Sequence, residues 1–392
     1  MNKEKVGHGS INPFKTPNLL MLLLVVMFAV TGGSLVGPIL PAIMDLDGAT
    51  GRNVGLALSV YTFCALVATP LFGPFADRFG RKSVIVPAVI LFGISGLLIT
   101  FTQSFRLVLV WRAFQGIAVG GMLNTAVAAI GDMYEEPERS RAMGWRVTVQ
   151  GVTNASVPFA SGALATIAWF LPFYIHSSAV LLGLFIAFKF KEPAGTAKTP
   201  RYMLRAVKSL ADIRAVWLFF SNFMGFFLLY GIVVYMPILV VKQFGLTTLH
   251  SGLAISAAAG SAALVASRAG LISRLFSEEI RILAGFVLCG TSHLLVGFSN
   301  SYLPVMLCMG IWGLGFGVLM PTLNSAAAGL VSTELRAGVL SVFTMLIYLG
   351  QTLSPLFFAL FVREHSVANA FFAGAAVCVA PLVFTVYMAV RA

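Results

Sequence analysis

The chain alternates long apolar runs with short polar connections. Twelve runs stand out, at residues 18–41, 53–73, 83–102, 107–131, 143–165, 167–188, 215–241, 251–272, 281–299, 303–329, 338–361 and 367–390. A membrane's hydrocarbon core is about 30 Å thick and an α-helix rises about 1.5 Å per residue, so about 20 apolar residues span it. The pattern therefore predicts twelve transmembrane helices. A transmembrane β-barrel is excluded, because its strands alternate over about 10 residues. The longest polar connection, 189–214, holds Lys189, Lys191, Lys198, Arg201, Arg205, Lys208 and Arg214 together with Pro193, Gly195 and Pro200. It reads as a surface linker. Residues 1–188 and 215–392 are then two six-helix bundles on either side of it.

Composition agrees. Hydrophobic residues make up 58% of the 392 and charged residues 10%, against about 25% charged in an ordinary soluble domain. Mean hydropathy is +0.92. A soluble enzyme, a disordered chain and a disulfide-stapled module are excluded. Each span-plus-connection unit has about 33 residues, which leaves little for a soluble domain. Cys64, Cys289, Cys308 and Cys378 fall in apolar stretches without a CxxC pair or metal spacing, so they read as small buried hydrophobes. The first run follows Lys3, Lys5 and Lys15 and is long enough to span, so no cleaved signal peptide is expected.

The net charge of +12 changes the picture only through its placement. With the N-terminus inside, 21 basic residues fall on the inner side and four (Arg52, Arg106, Lys242, Arg363) on the outer side. That bias predicts both termini in the cytoplasm of a multi-pass protein of the cell's inner membrane. No basic face remains for nucleic acid.

The halves resemble each other at an offset near 196 residues. Gly116 and Gly120 of span 4 match Gly313 and Gly317 of span 10; Arg141-Ala142 matches Arg336-Ala337; Pro158 matches Pro355; Arg78 matches Arg274. Duplicated bundles that rock about a shared site are a transporter signature.

After span 2 comes Gly73-Pro-Phe-Ala-Asp77-Arg78-Phe-Gly80-Arg81-Lys82. Glycines at its two ends permit a tight turn and close helix approach. Asp77 is suited to a helix N-terminus. Arg78 is suited to pair with an acid such as Asp132 or Glu138. This segment resembles the signature loop of the major facilitator superfamily, and spans, linker, repeat and motif position agree along the whole chain. The resemblance implies an all-α fold of twelve helices in two pseudo-twofold-related bundles, working by alternating access. It also implies a gate at the cytoplasmic ends, here assigned to Asp77, Arg78, Arg81, Asp132 and Arg141. The second copy, Ser273-Arg274, lacks the acid, which predicts an asymmetric lock.

Arg112-Ala-Phe-Gln115-Gly116 in span 4 resembles a second motif of the family's exporters. Arg112 is the one charge well inside a run, and a charge there marks a functional site by default. Span 5 is similar to the antiporter motif but degraded, with Val157-Pro158-Phe-Ala-Ser161-Gly162. Arg146, Gln150 and Asn154 fall on one helical face and should border a water-filled cavity. None of the 14 acids lies mid-span, although proton-driven exporters of cationic drugs usually carry one. His293 reads as structural; His176 and His250 lie near outer span ends.

In this fold spans 1, 4, 7 and 10 line the cavity. The expected substrate-binding set is Arg112, Gln115, Asn124, Gln150, Asn154, Asn222, Phe223, Phe226, Tyr230, Asn324, Tyr348 and Gln351, with Phe219, Phe223, Phe226 and Tyr230 sharing one aromatic face. Few charges and many rings suit an amphipathic or neutral compound, while an unpaired arginine favours an anionic group. The resulting expectation is an exporter resembling the drug-efflux branch, with proton antiport as its coupling. Two alternatives stand beside it: an uncoupled or differently coupled carrier of an organic anion or lipid-like substrate, and a membrane scaffold or sensor that transports nothing. No nucleophile–base or metal constellation suggests an enzyme. The expected partners are a small-molecule substrate, protons and membrane lipids; no cofactor is expected, and the chain is expected to be a monomer.

Overall fold

The structure is a computed structural model and describes residues 16–192, 212–330, 336–363 and 366–391. The predicted linker lies mostly outside the described residues, as do Lys3, Lys5, Lys15 and Glu334.

The chain is a multi-pass membrane protein; among the described residues twelve principal helical segments, besides the short helix Ala269–Leu275, lie in near-register with the apolar runs. They are α1 Pro17–Ile43, α2 Leu56–Phe79, α3 Arg81–Thr100, α4 Phe105–Met133, α5 Glu138–Ala165, α6 Phe173–Lys189, α7 Ile213–Gln243, α8 Thr248–Ala266, α9 Glu278–Gly297, α10 Tyr302–Gly329, α11 Arg336–Ala359 and α12 Ala368–Arg391. Ten are long and apolar enough to cross a membrane. The others are α6, which is short, and α5, whose start is charged by Glu138, Arg139, Arg141 and Arg146. Both α6 and α12 are interrupted, at Ser178 and Cys378. In α1, Pro38 and Pro41 follow Ser34 and tighten the last turns into a short 3-10 segment, as proline without an N–H does.

One boundary corrects the sequence reading. Helix α2 runs on through Asp77-Arg78-Phe79, so most of the signature segment is helical and only Gly80 turns the chain. Gly80 has φ +92°, a conformation that favours glycine. Gly73 has no described neighbour near the place its side chain would occupy, so it mediates no close approach.

The internal repeat is visible as packing. A Cβ on Gly116 would overlap the Tyr61 carbonyl of α2, and a Cβ on Gly313 would overlap the Ala258 carbonyl of α8. Thus α4 seats on α2 as α10 seats on α8. The two bundles then exchange contacts reciprocally. Pro158 of α5 packs on Gly252 of α8, while Pro355 of α11 packs on Gly55, the residue that caps the start of α2. A swap of this kind is what a pseudo-twofold axis produces.

These contacts lie toward one end, called the far end here; the opposite end holds Pro17, Lys189 and Arg391 and is called the terminal end. Hydrogen bonds at the far end join the halves: Ser59 Oγ to Thr352 O at 2.8 Å, Thr62 Oγ1 with Thr352 Oγ1 at 2.9 Å, Thr248 Oγ1 to Gly162 O at 2.8 Å, and Arg52 Nε to Val362 O at 3.3 Å. Lys242 also pairs with Asp45 at 2.7 Å. Toward the terminal end the same helices separate. Gly151 on α5 and Gly260 on α8 have no described neighbour near their Cβ positions, and Asn154 is exposed.

Candidate functional site

Between the halves, α1 and α7 show the opening most clearly. Near the far end they touch: Tyr230 Oη sits against Gly33, and Val233 against Gly37. One to four turns toward the terminal end, the facing positions are half-exposed: Leu20, Leu24, Met27 and Val30 on α1, Phe223 and Phe226 on α7. Phe226 meets Phe316 of α10 edge-on at 5.5 Å. Asn124 on α4 and Gln150 on α5 are half-buried, and Asn154 and Asn324 are exposed. The result is an apolar cleft with aromatic walls and amide side chains at its edges. Asn324 donates to Met320 O of its own helix at 2.8 Å.

The expected aromatic face of α7 divides. Phe219 turns to Phe343 of α11 at 5.9 Å, and Phe223 packs on Phe227 of its own helix at 5.7 Å. Asn222 is fully buried and donates to Phe343 O at 2.9 Å, so it holds α7 to α11 and does not border the cleft. Gln351 and Tyr348 are buried on α11, Tyr348 among N-half side chains.

At the closed end of the cleft lies a polar cluster. Arg112 is wholly buried. Its guanidinium donates through Nε to Ala57 O at 2.9 Å, through Nη1 to Gln115 Oε1 at 2.7 Å and through Nη2 to Gly32 O at 2.7 Å. It also lies over the Tyr61 ring at 4.1 Å, a cation–π contact that strengthens out of water. Two of its acceptors are backbone carbonyls, on α1 and α2, so Arg112 binds α1, α2 and α4 into one body. Gln115 completes the cluster: Nε2 lies 3.1 Å from His176 Nδ1 and 3.4 Å from Phe92 O. His176 is buried against Phe92 at 4.7 Å and Phe173 at 5.7 Å. Tyr61, Tyr230 and Tyr348, from both halves, stand within electrostatic reach of one another. Sequence reasoning singled out Arg112 and Gln115 but missed Tyr61, and it gave His176 no role. His293 Nδ1 donates to Cys289 O, 2.9 Å away within α9, and the ring is buried.

At the terminal end the pairing differs from expectation. Arg81, not Arg78, bridges the acids, with Nη1 2.7 Å from Asp77 Oδ1 and Nε 3.0 Å from Asp132 Oδ2. Arg78 lies over the Phe79 ring at 5.2 Å. The carboxylate on the N-terminus of α3 is Glu192, not Asp77: it accepts from the backbone N–H groups of Arg81 and Lys82, where the helix dipole favours a negative charge. Lys82 Nζ donates to Phe190 O at 3.0 Å. Arg141 is exposed near the start of α5. In the C half, Arg274 lies exposed on the short helix Ala269–Leu275, and the ion pair there is Arg214 with Glu278 at 3.1 Å. Among the described residues no cluster of His, Cys, Asp or Glu could hold a metal.

Comparison with known proteins accords with this geometry. The chain is 23% identical over 361 residues to the bacillibactin exporter of Bacillus subtilis (strain 168), covering 87% of this chain and 89% of that protein. It is 20% identical over 347 residues to the quinolone resistance protein NorA of Staphylococcus aureus (strain Mu50), covering 83% and 84%. Among solved structures, a bacterial homologue of the human lysosomal transporter Spinster, inward-facing and unoccupied, superposes with a TM-score of 0.78 at 18% identity over 96% of each chain. Residues 22–355 match the profile of the Major Facilitator Superfamily, and the chain is a transporter-type member of that family, not an enzyme.

Proposed function

We propose that this protein exports a small amphipathic or hydrophobic compound across the bacterial inner membrane by alternating access, in antiport with protons, as a monomer. The terminal end is cytoplasmic, in keeping with its basic residues, and the state described is open to the cytoplasm. The observation that carries the reading is the cleft itself. It is closed at the far end by Ser59, Thr352, Gly162 and Thr248 and open below, between the half-exposed faces of α1 and α7. Substrate lies between Phe223, Phe226, Tyr230, Asn124 and Asn324, with Gln150 and Asn154 at the side. Residues 1–188 and 215–392 rock as bodies joined by 189–214. Asp77, Arg78, Arg81, Asp132 and Arg141 form the cytoplasmic gate. Arg112 and Gln115 hold the N half rigid beneath the tyrosines. Exporter and resistance proteins among the relatives support the outward direction.

One observation favours a second reading. Every acidic residue that the structure describes sits at a helix end or in a connection, so no carboxylate in the cleft is placed to exchange a proton for substrate. A carrier without proton coupling fits that. Proteoliposome uptake of a panel of labelled amphiphiles, with and without an imposed pH gradient, tests both. Accumulation that collapses with the gradient supports antiport; equilibration indifferent to it supports the uncoupled carrier; no movement of any compound contradicts transport.

A further inference from the structure

Arg146 lies on α5, apart from the cluster around Arg112. It is the ninth residue of α5, about 12 Å along the helix from its start. Its side chain does not reach back toward the terminal end, as a snorkelling arginine would. Instead Nη1 points the other way, to Gln150 Oε1 at 3.4 Å. Its Nε is buried without a hydrogen-bond partner. Among the described residues no carboxylate pairs with it. One donor of the guanidinium, Nε, is therefore covered and unsatisfied, and a shift of the side chain that uncovers it would present a side-on edge that matches the two oxygens of an oxyanion.

The surroundings point the same way. Gln150 is half-buried and Asn154 exposed one and two turns deeper on the same face, and Gly151 beside them borders open space. Arg112 is likewise without a carboxylate among the described residues; carbonyl and amide oxygens accept from it. Among the described residues no acid stands in the cleft to offset either charge. A cationic compound entering here meets a guanidinium without a counter-ion in a low-dielectric space, while an anion relieves the desolvation of Arg146.

We propose that the cleft selects amphipathic anions, with Arg146 binding the substrate's oxyanion side-on, Gln150 and Asn154 donating to its remaining oxygens, and its apolar body lying against Phe226 and Phe316. This rests on the transport reading above and names its substrate class; the shared chemistry is an aryl or alkyl group bearing a carboxylate, sulfonate or phosphate.

The test is binding of matched probes to the full chain in nanodiscs. One pair is 1-naphthoate and 1-naphthylmethylammonium, which share a ring system and differ in charge; two further aryl carboxylate and ammonium pairs extend the series. The carboxylates are expected to bind at least about tenfold more tightly than their ammonium partners. Arg146→Gln is expected to abolish that preference, and Arg146→Lys to keep part of it, because a point charge attracts the anion without the two-point fit. Unchanged melting temperatures for both variants show that folding is not the cause. Preference for the ammonium probes, or a carboxylate preference that survives Arg146→Gln, overturns the proposal and leaves export standing. Failure of every probe to bind counts against the transport reading itself.

Discussion

Gln115 stands between a cation and an imidazole, and Arg112 decides which way its amide points. Because Oε1 takes the Arg112 Nη1–H at 2.7 Å, the NH2 end faces His176 Nδ1 at 3.1 Å. His176 Nδ1 is then the acceptor, and its ring proton sits on Nε2. One amide thus links α4 to α6 while Arg112 links α4 to α1 and α2. Replacing Gln115 by Leu leaves both a guanidinium N–H and an imidazole nitrogen buried without partners. The expected cost is about 1–3 kcal/mol per orphaned group. Arg112→Leu, which strips the Gly32 and Ala57 carbonyls as well, is expected to cost more. Thermal unfolding in detergent checks the order: wild type highest, Gln115→Leu lower, Arg112→Leu lowest.

The proposed gate at Asp77, Arg81 and Asp132 predicts that stability and transport separate. Arg81 and its two acids are partly exposed, with side-chain exposures of 18%, 31% and 33% for Arg81, Asp77 and Asp132, so each pair contributes about 1 kcal/mol or less. Asp77→Asn is therefore expected to leave the melting temperature within a few degrees of wild type while reducing transport several-fold. Glu192→Gln, which weakens the cap on α3, is expected to behave similarly. Wild-type transport rates in Asp77→Asn refute the gating role.

Close helix seating gives a third expectation. Gly116→Ala and Gly313→Ala each drive a methyl group into a backbone carbonyl of the neighbouring helix, and overpacking costs about 1–3 kcal/mol. Gly151→Ala fills open space and is expected to change the melting temperature little. Equal effects at all three positions contradict the packing described.

Much of this was legible in the sequence, and the parts that were not have a common cause. Helix positions follow from apolar run length, and the repeat from Gly116/Gly313 and Pro158/Pro355. Arg112 stood out because a charge in an apolar run is costly wherever its partners are. Partners themselves are set by folding. Tyr61 and Ala57 come to Arg112 from α2, and His176 to Gln115 from α6, with no local spacing to announce them. Continuing α2 to Phe79 rotated Arg78 away from Asp132 and brought Arg81, across the Gly80 turn, into its place. Glu192 sits at the edge of a stretch that reads as linker. Asn222 looked like a cavity residue because polarity in a span suggests water; a backbone carbonyl at Phe343 serves instead.

Alternating access itself is tested most directly at the Gly55–Pro355 contact. Gly55→Leu places a bulky side chain where α2 meets Pro355 and prevents far-end closure. Spin labels on Val147→Cys and Leu264→Cys report the terminal end, and labels on Ile167→Cys and Leu303→Cys the far end, with Cys64 replaced by Ser. In pulsed electron–electron distance measurements, Gly55→Leu is expected to lengthen the far-end distance and shorten the terminal-end distance together. A far-end change with the terminal-end distribution unmoved would contradict two bundles rocking about one central site.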